Sequence, residues 1–146
     1  MGTDAVRLLN KKERVRRYGE VFTPQHIVNV MCNMLQKENP DCYLPHKTFL
    51  EPSCGEGVFV LEILRRKFAN CRTREDYSDA LRSIYAFELQ SDNVKTTIKN
   101  VTALCKEHFK PTKDDLQIIN DHIIQADAIK IMKMMSDPQL CETVNK

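Results

Sequence analysis

Two rhythms of apolar positions alternate along this chain. In "FTPQHIVNVMCNMLQ", Ile27, Val28, Met31, Met34 and Leu35 recur at helical spacing. Thr23 is placed as the N-cap and Pro24 as the first helical residue, where a missing N–H is not needed. Upstream, residues 4–17 read as a helix with Thr3 or Asp4 as its cap, an apolar patch of Val6, Leu8 and Leu9, and Gly19 as its end. A polar connection, "KENPDCYLPHK", precedes "KTFLEP", which reads as a short buried strand. Val58, Leu61, Ile63, Leu64 and Phe68 make the next helix, and "NCRTREDYSDALR" is a charged insertion or a short helix. "SIYAFEL" is a second apolar strand closed by Glu88. Val94, Ile98, Val101, Leu104 and Cys105 mark a further helix. "HIIQADAI" is a third strand ending near Asp127, and "KIMKMMSD" a short final helix.

The order is helix, helix, then strand–helix–strand–helix–strand. Alternating strands and helices imply parallel pairing and a doubly wound α/β sheet. Ligands of such sheets bind beyond the carboxyl ends of the strands. Three features fall there: the turn "EPSCGEG", Glu88 and Asp127. The chain has 4 glycines, and Gly55 and Gly57 are both in that turn. Gly55 permits backbone angles closed to other residues, and Gly57 leaves no Cβ in the way of a ligand. Glu88, ending the second strand, is placed to accept from the two adjacent hydroxyls of a ribose. The plain alternative is a tight strand–helix turn with no ligand. Neither G-x-x-x-x-G-K-[ST] nor a complete G-x-G-x-x-G is present, so phosphate cradling is disfavoured. Glu51 beside the turn disfavours a polyanion and favours a ligand carrying positive charge.

Composition changes this picture little. With 146 residues, 42% of them hydrophobic and 29% charged, the chain suits one domain with a real core. A net charge of +2 does not announce a nucleic-acid binder. The charge is unevenly spread, however: "RLLNKKERVRRYG" is dominated by Lys and Arg, with a single Glu. It is either a solvated helix face or a phosphate-contacting arm using Arg14, Arg16 and Arg17. The cysteines show no C-x-x-C spacing and have no His at zinc-site spacing, so no metal site is expected. The N-terminus lacks a signal peptide's apolar core, and no apolar run approaches the ~20 residues that cross a bilayer. Reduced cysteines in a cytoplasmic protein are the simplest expectation.

Four segments, in the family's order, carry a resemblance to the S-adenosylmethionine-binding part of the adenine-N6 DNA methyltransferases of restriction–modification type. "YGEVFTPQHIVNVM" is similar to the segment that closes over the methionine end of the cofactor. "LEPSCGEGVF" resembles the glycine-rich cofactor loop. "AFELQ" resembles the acid that holds the ribose, and "IIQADAI" the Asp that reads the cofactor adenine. The match spans roughly residues 18–130 and implies a Rossmann-like core over 18–146, preceded by a basic arm over 1–17. It implies that Phe22, Thr23 and Pro24 line the methionine end. Glu51, Pro52, Ser53, Cys54, Gly55 and Gly57 would surround the amino acid portion. Phe59 would pack near the adenosine or target-base pocket, or simply in the core. Glu88 would bind the ribose hydroxyls, with Leu89 against the adenine ring. Asp127 would accept from the adenine amino group, with Ala128 beside it, unless Asp127 only caps the following helix.

The chain departs from the family in one respect. The base-gripping tetrapeptide, Asn or Asp, then Pro-Pro, then Tyr or Phe, is missing: the sequence contains no Pro-Pro. The resemblance also implies a fourth strand pairing beside the first. Without it "KTFLEP" is an exposed apolar edge, expected to be covered by a second copy or by another methylase subunit. The expected function is a cofactor-binding methyltransferase domain that is inactive alone and meets DNA through a fuller assembly. Such a chain is either part of a longer methylase or a small protein that kept the pocket and lost the reaction. The alternatives are a non-enzymatic regulatory module and a dinucleotide oxidoreductase fragment. The incomplete glycine pattern and the Phe-Thr-Pro segment speak against the oxidoreductase.

Overall fold

Three short parallel strands form the sheet: β1 (Phe49–Glu51), β2 (Ile84–Glu88) and β3 (Ile123–Gln125), in the order β1-β2-β3. The computed structural model describes residues 11–18, 22–137 and 139, with the side chains of 15–18 outside the description. The register pairs Phe49 with Ile84 and Ala86 with Ile123. Ile84, Ala86 and Ile123 are buried, because this face of the sheet meets the helices. Leu50 and Tyr85 pair on the opposite face with 53% and 40% exposure, and Ile124 there is 36% exposed. The α/β fold with a parallel sheet is as the apolar rhythm implies. The doubly wound arrangement is not reached among the described residues, since only one face is covered.

Seven helices accompany the strands among the described residues: α1 (Lys11–Tyr18), α2 (Gln25–Glu38), α3 (Val58–Ala69), α4 (Arg74–Arg82), α5 (Ser91–His108), α6 (Lys113–His122) and α7 (Ala128–Met135). The N-terminal helix expected over 4–17 is described from Lys11 only, and residues 1–10 and Gly19 lie outside the described residues. Helix α2 begins one residue later than expected. Pro24, not Thr23, is its N-cap, with extended backbone and a carbonyl that accepts from the N–H groups of Ile27 and Val28. The charged segment after Asn70 is a helix, started by a Thr73–Asp76 capping box. Helix α6, which the apolar pattern does not reveal, starts from a second box, Thr112–Asp115.

The core gathers Val60, Ile63, Leu64 and Phe68 from α3, Ala80 and Leu81 from α4, Val101, Leu104 and Cys105 from α5, and Ile119 from α6. Two buried polar groups brace it. Lys67 is fully buried, and its Nζ donates to the carbonyls of Leu44, Pro45 and Lys47, closing the α2–β1 connection onto α3. Burial pulls that amine down to about 8. Asp115 is 1% exposed and accepts from Ser78 Oγ, from Arg74 and from the N–H of Thr112. It thereby locks α4 to α6. The described cysteines are free thiols. No helix among the described residues is long and apolar enough to cross a membrane.

Candidate functional site

A hollow of about 270 Å³ opens beyond the carboxyl ends of all three strands. Its floor is the β1–α3 turn. Cys54 N–H donates to the carbonyl of Phe87, which ties the turn to β2. Gly55 takes φ +54° and Gly57 φ +91°, both in the region that disfavours a side chain. A Cβ on Gly55 would lie 2.9 Å from the Phe22 ring, and one on Gly57 would lie 2.8 Å from Thr97. The room left by the missing Cβ atoms is therefore used by protein: Phe22 stands over Gly55, and Thr97 of α5 abuts Gly57. The expectation that Gly57 bares backbone to a ligand is corrected here. Its side faces α5.

Phe22, Thr23, Pro52, Ser53, Cys54, Gly55, Phe59, Glu88, Leu89, Asp127 and Ala128 all line the hollow. Phe59 also packs against the core, as the plainer of its two expectations has it. Pro24, Glu51 and Gly57 lie off the lining. Pro24 caps α2, and Glu51 turns its Oε1 to the N–H of Ser53 at 3.0 Å. Burial first, and the neighbouring Glu88 charge after it, raise the Glu51 carboxyl above its usual range. Cys54 is buried too, and its thiol is pushed up to about 12, chiefly by desolvation. Such burial disfavours the thiolate, the nucleophilic form.

Glu88 is 7% exposed at the tip of β2. Its Oε2 accepts from the N–H of Gly55 at 2.8 Å, and its Oε1 from the N–H of Gln90 at 3.1 Å, with Asn93 Nδ2 at 3.5 Å. The buried carboxylate thus has the partners it requires. Asp127 caps α7, accepting from the N–H groups of Ile129 and Lys130, and still borders the hollow.

Val58, Gln90, Ala126 and Ile129 complete the wall, and sequence reasoning had not singled them out. Thr97, whose hydroxyl donates to the carbonyl of Gly55 at 2.8 Å, was also missed. Gln90 stands inside the quoted "AFELQ", two residues after the acid. Nothing in the local pattern marks Thr97, since it meets the turn from a helix far along the chain. Among the described residues no Lys, Arg or His lines the hollow, while two acids do. Among the described residues no cluster of His, Cys, Asp or Glu is arranged to hold a metal.

Arg14 is not a solvent-facing cation. Its two terminal nitrogens donate to the two carboxylate oxygens of Asp92, each at 2.6 Å, and its side chain is 12% exposed. The side chains of Arg16 and Arg17 lie outside the described residues.

In open parallel α/β sheets ligands bind in the crevice beyond the carboxyl ends of the strands, where this hollow lies. The chain is 33% identical over 95 residues to the type II methyltransferase M.PaeR7I of Pseudomonas aeruginosa. That match covers 60% of this chain and 16% of that protein, so the chain spans a small part of the relative's length. No protein-family profile matches the chain, and no solved structure does.

Proposed function

We propose that this chain is the S-adenosylmethionine-binding part of an adenine-N6 DNA methyltransferase, inactive in isolation. The observation that carries the reading is the convergence of the Gly55 turn, Glu88 and Asp127 on one hollow that, among the described residues, no basic side chain lines. Similarity to a type II methyltransferase supports the class. An acidic wall suits a ligand with a sulfonium and an ammonium group. When bound, that cofactor supplies a methyl group activated by positive charge on sulfur.

The residues present fit such a ligand. Asp127 and Ala128 offer an acceptor beside a small apolar surface, and Leu89, 46% exposed, offers a flat apolar side. Glu88 has roughly four lone-pair positions, of which Gly55, Gln90 and the long Asn93 contact occupy three. One hydroxyl can add to Oε2, and a second can displace the 3.5 Å Asn93 contact. Residues that grip the target base come from another polypeptide segment, and with them the contact with DNA, to which Arg16 and Arg17 add phosphate pairing.

Calorimetry with S-adenosylhomocysteine tests the reading. Wild-type chain is expected to bind, and Glu88→Ala to lose at least tenfold in affinity. Equal affinities would remove Glu88 from the site. A second reading, a non-enzymatic regulatory module, is favoured by the same carboxylate's engagement with its own protein. It predicts a stable complex with a second methylase subunit and no methyl transfer to adenine-rich DNA even in that complex.

The uncovered sheet face and the free edge of β1 are assigned to a second copy of the chain. Leu35 of α2 and Phe49 of β1 border one hollow, so the C-terminal end of α2 stands near the start of that edge strand. Two copies related by a two-fold axis present both features to each other.

A further inference from the structure

We propose that Arg14 is a positioning residue for the hollow: by clasping Asp92 it seats α1 on the first turn of α5 and fixes the Glu88 carboxylate and the Phe22–Thr23 wall. The ligand readout below rests on the cofactor-binding reading; the clasp itself does not.

Asp92 stands in the first turn of α5, between Gln90 and Asn93, and both neighbours donate to Glu88. Any shift of that turn therefore moves the two donors that hold Glu88 Oε1. Glu88 Oε2 in turn holds the N–H of Gly55, so the arm, the α5 start, the acid and the glycine turn form one chain of contacts. The Arg14–Asp92 pair is bidentate, and such forks fix orientation as well as distance. It joins residues 78 apart in sequence. Asp92 is held below the usual carboxylate value, first by Arg14 and then by the N–H groups of its own helix. An acid at that helix end is favourable in its own right, which keeps Asp92 in place to receive the arginine.

The clasp reaches the hollow by a second route. Helix α1 ends at Tyr18, and Phe22, four residues on, packs over Gly55. Four residues span at most about 14 Å, so seating α1 restricts where Phe22 and Thr23 lie.

Hydrogen exchange with mass spectrometry on the full chain, without ligand, is the first test. Asp92→Asn and Arg14→Ala should each raise exchange at least fivefold in peptides covering 11–18, 22–24 and the Gly55 turn. Arg14→Lys, which keeps the charge and loses the fork, should fall between. The urea midpoint should shift little, separating positioning from general destabilisation. Unchanged exchange at 22–24 and 55 overturns the proposal, whatever the ligand result. The second test titrates S-adenosylhomocysteine. Asp92→Asn should weaken binding about fivefold in wild type and add nothing in a Glu88→Ala background. Additive losses overturn the route through Glu88. If wild type binds none of this ligand, the functional reading fails while the exchange data still decide the clasp.

Discussion

Gly57 takes φ +91°, with Thr97 packed where its Cβ would be. Substitution to Ala meets both a strained backbone and a 2.8 Å contact with Thr97 Cγ2. The expected cost is on the order of 2 kcal/mol or more in urea unfolding. Adding Thr97→Ser removes that methyl and should recover part of the loss, while the backbone strain stays. An unchanged midpoint for Gly57→Ala alone would show that the turn is not constrained as described. At this scale the sequence spoke clearly of where and less clearly of why. Both glycines, Glu88 and Asp127 could be picked out, because each follows an apolar strand. What packs against them could not. Phe22 over Gly55, Thr97 beside Gly57 and Arg14 on Asp92 join residues dozens of positions apart, and no local spacing encodes such pairs.

One buried carboxylate ties helices α4 and α6 together beside their apolar contact. Burial by itself would raise the pKa of Asp115. Hydrogen bonds from Ser78, the Thr112 N–H and Arg74 outweigh it and bring the group down to about 2. Its contribution is complete above the unfolded value near 4 and is lost as pH falls toward 2. Asp115→Asn should cost about 2 kcal/mol at pH 6. That gap in urea stability should shrink from pH 4 downward and nearly close at pH 2; a gap constant with pH would deny the charge its role. Helix α6 was also the element that the apolar rhythm missed. Leu116 and Ile119 make too sparse a stripe among Lys, Asp, Gln and Asn to stand out. The legible signal was Thr112 followed three residues later by Asp115, a helix start that needs no apolar pattern. The one-residue slip at α2 has the same origin. Pro24 serves as a cap through its carbonyl, so Thr23 is released to the wall of the hollow.

A parallel sheet is normally covered on both faces, and this one shows a single covered face among the described residues. Leu50, Tyr85 and Ile124 remain on the other, and α2 separately exposes Val30, Met31 and Met34 at 50–63%. Patches of that kind drive association. Light scattering should find a dimer at micromolar concentration, and Met31→Lys with Leu50→Lys should return it to monomer. A sharp monomer at every concentration would set aside the second copy. The apolar run in "SIYAFEL" foretold the strand but not the bare face, since Tyr85 and Phe87 are apolar enough to belong to either side. Only the placement of the helices distinguishes the two.

Lys67 anchors the α2–β1 connection by main-chain oxygens alone. Every amino acid carries such an oxygen. The identities of residues 44, 45 and 47 are thus unconstrained by the staple, provided the backbone keeps its path. Position 67 has no such freedom, because an ammonium is the one side-chain group there that sends three donors to three converging acceptors. The precision of that loop is written on the helix opposite it.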